Sequence, residues 1–218
     1  MYFIIGDIHG CASKLKKLYN KISPRISSED HLIFLGDYID RGEDSYAVLE
    51  ILYRISLCHR THFLTGNHEK MLFDYISGKE DPGMYHLNGG GKTIDSYKKA
   101  LGSFHIPEEH RAILSNRNYY YETDSFFAVH AGVDPCYGEN YSLTSPYDMV
   151  WIREKFYNSD YCFKKTIIFA HTPTQYFKVR LGEVYTDYKR NIIGIDTAAV
   201  YGGKLTCLVW PKMQFIQS

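Results

Sequence analysis

Apolar positions in the first third of the chain follow two rhythms. Tyr2–Ile5, Leu32–Leu35 and His62–Leu64 are short runs bounded by glycine, the form taken by buried strands. Between them, Leu15, Leu18, Tyr19 and Ile22 recur at i, i+3, i+4 and i+7, and Val48, Leu52 and Ile55 keep nearly the same spacing. That spacing predicts two helices with one apolar face each. The resulting strand, helix, strand, helix, strand order predicts an α/β fold: a largely parallel sheet, covered on both faces, with ligands gathered beyond the carboxyl ends of its strands.

The rhythm breaks at residue 78. Gly78, Asp81-Pro82-Gly83 and Asn88-Gly89-Gly90-Gly91 interrupt it. A helix is predicted over Thr93–Leu101, and another from Pro107, a residue suited to a first helical position, to about Asn116. Residues 78–118 therefore read as a helical insertion within a single domain spanning 1–218. Beyond it the chain turns to strands. Tyr119–Glu122 and Phe126–Val129 flank Thr123-Asp124-Ser125 as a hairpin, and Ile167–Ala170, Ile192–Ile195 and Leu205–Trp210 complete the set. "NGGGKT" ends like a phosphate loop, but the first glycine of that pattern falls on His86 and no strong strand precedes it. It reads as a glycine turn feeding a helix.

Composition narrows the class. A chain of 218 residues, 44% hydrophobic and 16% aromatic, can bury one substantial core. Lys+Arg and Asp+Glu both total 25, which argues against bulk binding to nucleic acid or an anionic membrane and leaves room for a local basic pocket. The cysteines (Cys11, Cys58, Cys136, Cys162, Cys207) are odd in number and form no C-x-x-C pair, so they read as reduced packing residues. The chain has no basic start and no apolar run near the ~20 residues that cross a bilayer, so a cytoplasmic location is expected.

The chemistry lies where apolar runs end. In "FIIGDIHG", "LIFLGDYIDRG", "HFLTGNHE", "FFAVHAG" and "IIFAHTP" a metal-capable side chain follows at once. A lone aspartate there is ordinarily a turn or cap residue, and a lone histidine a satisfied core or surface group. Five such events at the strand ends of one sheet converge in space. Asp7 and His9 are two apart and share a side if the strand persists; Asp37 has two oxygens and can bridge two ions. Asn67 offers a carbonyl oxygen, and His130 and His171 offer imidazole nitrogens. Oxygen and nitrogen donors without thiolate suit Mn²⁺, Fe or Zn²⁺, and six ligands suit two ions rather than one. Two ions ~3.5–4 Å apart can hold a phosphate and lower the pKa of a shared water. His68, beside Asn67 but directed differently by the turn, would protonate the leaving oxygen, with Asp40 orienting it. Arg41 and Arg153 are the guanidinium candidates for phosphate oxygens. Glu69 is assigned to the N-terminus of the following helix, and His31, His59, His62, His86, His105 and His110 lack the strand-end context.

"GDIHG", "GDYIDRG" and "GNHE", followed by strand-end His130 and "AHTP", resemble the metallophosphoesterase signature of the PPP-type phosphatases. The likeness is nearest to compact bacterial and phage serine/threonine protein phosphatases, the lambda-phage enzyme among them. "NGGGKT", "VWIRE" and "IDTAAVYGGKL" extend it over nearly the whole chain. The resemblance implies a β-sandwich flanked by helices in α/β/β/α layers. It implies a dinuclear centre, usually Mn²⁺ in bacterial members, and phosphomonoester hydrolysis with no covalent enzyme intermediate. Position by position it gives Asp7, His9, Asp37, Asn67, His130 and His171 to the metals, His68 and Asp40 to proton transfer, and Arg41 and Arg153 to phosphate. Tyr201 matches an aromatic position near the cleft, or packs. The substrate implied is a phosphoserine, phosphothreonine or phosphotyrosine protein or peptide, or a small phosphomonoester.

One departure matters. Protein phosphatases of this group usually carry arginine just before "GNHE", and here Thr65 stands there. Symmetrical diadenosine tetraphosphate hydrolases also commonly lack that arginine, although their motif tends to read "GNHD". A non-catalytic module on the same scaffold, as in the retromer coat, should show eroded ligands or a replaced acid; here both are intact.

Overall fold

In the strand Tyr2–Ile5 (β1), alternate side chains leave on opposite faces, and both faces are apolar and buried. A strand of this kind needs cover on each side. The computed structural model, which describes residues 1–79 and 81–218, supplies it with a helical layer on one face and a second sheet on the other.

The first half runs β1, α1 (Ala12–Ile22), β2 (His31–Phe34), α2 (Ser45–Cys58), β3 (Arg60–Phe63) and α3 (Asn67–Ile76). β1, β2 and β3 are parallel, as the alternating pattern requires. Three helices follow, α4 (Pro82–Leu87), α5 (Gly90–Leu101) and α6 (Glu108–Leu114). The second half runs β4 (Tyr120–Glu122), β5 (Phe126–Val129), α7 (Pro146–Trp151), α8 (Glu154–Tyr157), β6 (Thr166–Phe169), β7 (Tyr185–Asp187), β8 (Ile192–Gly194), β9 (Thr206–Trp210) and β10 (Gln214–Gln217).

The single doubly covered sheet expected from the first third is corrected by two five-stranded sheets, ordered β10-β9-β1-β2-β3 and β4-β5-β6-β8-β7. In the first the parallel strands β1, β2 and β3 run to one edge, with β9 and β10 antiparallel on the other side; in the second β5, β6 and β8 are parallel at the centre, with β4 and β7 antiparallel outside. Their inner faces meet through Ile4, Ile33, Leu35, Leu64, Phe126, Ala128, Ile168, Ala170, Ile193, Ile195 and Leu208. The alternate residues Phe3, Ile5, Leu32 and Phe34 face α1, α2, α5 and α6, and Phe127, Val129, Ile167 and Phe169 face Met149 and Phe156 of α7 and α8. These are the four layers α/β/β/α. Fully burying each such side chain contributes about 1.5–3 kcal/mol.

Helix α5 begins at Gly90, three residues earlier than its apolar period shows. A Cβ on Gly90 would lie 2.3 Å from the Tyr85 ring, so the glycines serve the close approach of α4 to α5 as well as a turn.

Candidate metal centre and active site

Every strand-end residue singled out in the sequence lies at the same end of the two sheets. Asp7 and His9 follow β1, Asp37 follows β2, and Asn67 opens α3 just beyond β3. His130 directly follows β5, and His171 follows β6 by two residues. Both sheets thus contribute. The turns are sharp: His9, Asp37, Asp40, Arg41 and His171 all have positive φ, between 45° and 68°. Left-handed backbone at non-glycine residues costs energy and gathers where surrounding structure imposes it, commonly at functional sites. The glycine ending "DYIDRG" permits a very close approach, since a Cβ on Gly42 would lie 2.1 Å from the carbonyl oxygen of His9.

The side chains converge. His9 Nε2 is 3.4 Å from Asp37 Oδ2 and 4.0 Å from Asp7 Oδ2; His130 Nε2 is 3.5 Å from Asp37 Oδ1 and 3.0 Å from Asn67 Oδ1. The His171 amide donates to Asp7 Oδ2 at 3.1 Å. The backbone fixes two tautomers, because His9 Nδ1 donates to the Ile39 carbonyl at 2.8 Å and His130 Nδ1 to that of Leu35 at 2.9 Å. The Nε2 lone pair of His130 therefore faces Asp37 and Asn67, while that of His9, beside Asp37, accepts from Arg41. Acceptors aimed at acceptors in a buried place require a cation or a proton between them.

Electrostatics say the same. Burial, with the Asp196 and Asp37 carboxylates adding to it, holds the Asp7 carboxyl well above its usual range. Burial also works against the Asp37 charge, but His130 and His68 outweigh it and hold Asp37 well below. His9 and His171 are pushed well down, chiefly by burial. For His130, burial acts downward and the Asp37 carboxylate overrides it upward.

These residues fit divalent metal. Among the described residues, the buried side-chain atoms without a hydrogen-bond partner are Asp7 Oδ1, His68 Nε2 and His171 Nε2, all at this one place. Two groups of potential ligand atoms lie within 4.8 Å of one another, His9 with Asp37 and His68, and Asp37 with His130 and His171. Asp37 belongs to both, as a bridging carboxylate would. The donor chemistry is oxygen and imidazole throughout.

His68 is fully buried and its Nδ1 lies 2.8 Å from Asp40 Oδ2. Its Nε2 is aimed at the centre, 4.0 Å from Asp37 Oδ2. Asp40 is itself held, with Oδ1 accepting from Tyr85 Oη at 2.9 Å and Thr93 Oγ1 at 2.6 Å. Its amide donates to Thr93 Oγ1 at 2.9 Å. Thr93 is the last residue of "NGGGKT", so that segment braces the Asp40–His68 pair.

Arg41 and Arg153 line a cleft of about 280 Å³ with His171, Pro173, Gln175, Tyr176 and Tyr201. Arg41 donates to His9 Nε2 at 2.7 Å and lies 5.7 Å above the Tyr201 ring; Arg153 donates to Thr172 Oγ1 at 3.0 Å. Thr65 points elsewhere. Its hydroxyl donates to the Asn116 carbonyl at 2.6 Å and its amide to that of Asn118 at 2.8 Å. A separate cleft of about 320 Å³ there, lined by Lys70, Phe73, Arg117 and Tyr119, borders the centre's surroundings through Thr65 and Glu69.

Sequence reasoning missed four contributors. Glu69 does accept from the Gly66 amide at 2.9 Å, as a helix-start residue should, but it also accepts from the amides of Asp37 at 2.8 Å and Tyr38 at 2.9 Å. It clamps the Asp37 turn. Burial, and then Asp37, push its carboxyl up to about 7. Asp196, two residues beyond β8, is pushed up to about 6 by burial and faces Asp7 and Asp37. "IIGID" has the same strand-then-acid form as the five chosen runs and could have revealed it. Tyr85 and Thr93 gave no comparable signal, because only tertiary packing brings the insertion to Asp40.

A family model described as calcineurin-like phosphoesterase matches residues 2–202. Bis(5'-nucleosyl)-tetraphosphatase PrpE, asymmetrical, of Bacillus cereus (strain AH187) is 27% identical, with 99% of this chain and 92% of the relative covered. The protein of the same name from Bacillus thuringiensis (strain Al Hakam) is also 27% identical over the same shares. Among solved structures, one described as a candidate diadenosine tetraphosphatase superposes with TM-score 0.71 at 22% identity, covering 100% of this chain and 92% of its own. The cold-active protein-tyrosine phosphatase of a Shewanella species gives 0.64 at 16% identity, over 99% and 79%. At these identities the structural likeness speaks for fold.

Proposed function

We propose that this chain, which belongs to the calcineurin-like phosphoesterase family and is a metallophosphoesterase hydrolase, cleaves the phosphoanhydride chain of dinucleoside tetraphosphates. The observation that carries this reading is Thr65. The side chain just before "GNHE" is tied to Asn116, so no guanidinium from that position reaches a phosphomonoester. This moves the alternative weighed from the sequence ahead of the protein-phosphatase reading. The near full-length relatives named as asymmetrical tetraphosphatases support it and favour an asymmetrical cut over the symmetrical one first considered.

Asp7, His9, Asp37, Asn67, His130 and His171 would hold two divalent ions, Mn²⁺ before Fe or Zn²⁺. When bound, such ions polarise the phosphoryl group and acidify water. The rest falls to the chain. Arg41 and Arg153 neutralise and orient non-reacting phosphate oxygens in the cleft. His68 Nε2 gives a proton to the oxygen that departs, while Asp40 holds the ring by Nδ1. Glu69 keeps the Asp37 turn in place throughout.

Dephosphorylation of proteins is the second reading, favoured by "GNHE" and by two arginines suited to a terminal phosphoryl group. The test supplies Mn²⁺-loaded protein with diadenosine tetraphosphate and with phosphoserine, phosphothreonine and phosphotyrosine peptides. ATP and AMP from the dinucleotide, at a kcat/KM well above that for any peptide, is the expected result. Rapid phosphate release from peptides with the dinucleotide intact would overturn it. No helix among the described residues is long and apolar enough to cross a membrane, and we expect the enzyme to meet its substrate in the cytoplasm.

A further inference from the structure

The cleft beside His171 carries a feature that phosphate binding does not require. Tyr176 is 72% exposed and Tyr201 56% exposed, both on the wall that also holds Arg41 and Arg153. Most large aromatic side chains here are packed away, so two bare phenols on one charged cleft are a specific arrangement. The face of Tyr201 is partly covered by the Arg41 guanidinium. The ring of Tyr176 is not buried, yet its backbone is pinned.

The pinning is extensive. Tyr176 lies on a single 3₁₀ turn, Thr174–Phe177, that starts three residues after His171. The Thr174 amide donates to the Asp196 carbonyl at 2.9 Å and its hydroxyl to the Glu183 carbonyl at 2.7 Å. Phe177, the next residue, stacks on Tyr185 with centroids 4.1 Å apart and meets Tyr157 and Phe169 edge-on. The exposed ring thus stands on a backbone turn held by its neighbours, three to six residues after His171. Gln175 precedes it on the same turn and lines the same cleft, offering an amide donor and an amide acceptor.

A flat, rigid, solvent-exposed ring accepts another flat π-face at low entropic cost, and aromatic stacking tolerates any base. Beside His171 the cleft therefore offers arginines for phosphate together with a phenol and an amide. We propose that Tyr176 is the stacking platform for a nucleobase of the substrate and that Gln175 contacts the edge of that base. The phosphate chain then runs inward between Arg41 and Arg153 to His171. The proposal rests on the dinucleoside-polyphosphate reading and assigns residues for the nucleoside end that the family motifs do not cover.

Steady-state kinetics on Mn²⁺-loaded protein with diadenosine tetraphosphate and with base-free tripolyphosphate test it. Tyr176→Ala should raise the ratio of the dinucleotide KM to the tripolyphosphate KM on the order of 5- to 150-fold, the value of one base stack, with the dinucleotide kcat little changed. Tyr176→Phe, which keeps the ring, should restore the ratio to within about 3-fold of wild type. A ratio unmoved by Tyr176→Ala, or a Tyr176→Phe variant as impaired as Tyr176→Ala, overturns the proposal. Binding of ADP against pyrophosphate separates it from the activity reading. If the wild type cleaves no dinucleotide but binds ADP in a Tyr176-dependent way, the platform stands and that reading falls. If ADP binds no better than pyrophosphate, the platform falls whatever is hydrolysed.

Discussion

The hydroxyl of Tyr85 donates to Asp40 Oδ1 at 2.9 Å, so Tyr85→Phe removes that interaction and leaves the ring in its stack on Tyr75, 4.7 Å between centroids. Burial first, and Asp40 second, push this phenol far above its usual range, so it remains a donor across all working pH. A hydrogen bond to a charged group is worth about 1.5–3 kcal/mol, and Thr93 Oγ1 still serves the same oxygen. Taking the lower figure, Tyr85→Phe should lower Tm by about 3–6 °C for a chain of this size. If the same energy holds Asp40 and His68 aligned in the transition state, kcat falls about 10-fold with KM little changed. Scanning calorimetry and initial rates on diadenosine tetraphosphate measure the two effects. The decisive comparison repeats the substitution in an Asp40→Asn background, where the charge is gone and the further loss in kcat should be under about 3-fold. Equal losses in both backgrounds would refute the idea that Tyr85 acts through the Asp40 carboxylate.

His68→Asn should lower kcat by about 10²–10⁴-fold with an unchanged circular dichroism spectrum; a variant retaining most of its rate would remove His68 from proton transfer. Saturating Mn²⁺, at 100 times its dissociation constant, should stabilise the wild type by about 2.7 kcal/mol, or roughly 5–11 °C in Tm, and should do much less for Asp37→Asn. Removing metal with a chelator should abolish activity in a way that added Mn²⁺ reverses. His110 is buried between Tyr97 and Glu50, and burial lowers its pKa even though Glu50 opposes the shift. Below the unfolded value of ~6.5 the unfolded chain binds a proton that the folded imidazole resists. Its contribution to stability is thus complete above pH ~6.5 and is lost as the pH falls through the lowered folded value, so denaturant midpoints should drop over that window less steeply in His110→Gln than in wild type.

What could be read from the chain was what local spacing encodes. Phe3, Ile4 and Ile5 mark a strand buried on both faces, and the residues after β1, β2, β3, β5 and β6 name themselves because a polar group at the tip of an apolar run has little other reason to be there. The number of sheets was hidden, since Ile4 and Ile33 would read alike whether covered by helices or by the inner face of another sheet. Strands β7 and β10 and helices α4, α7 and α8, each six residues or fewer, are too short to show a period. The bracing of Asp40 by Tyr85 and Thr93 spans 45 and 53 residues and leaves no local trace. Glu69 was placed at its helix start, but its reach to Asp37 and Tyr38 depends on β2 and β3 lying side by side.

The inner faces of the two sheets meet through apolar side chains, which resist separation but have little grip against sliding. Directional ties cross that seam at the catalytic end, where His130 Nδ1 reaches Leu35 and the His171 amide reaches Asp7. A cation held jointly by Asp37, His130 and His171 would act there as a keystone, setting the stagger of one sheet on the other. Trimming a methyl from Ile33 or Ile168, in the oily seam away from those ligands, would therefore be felt as a change in how tightly the enzyme keeps its metal.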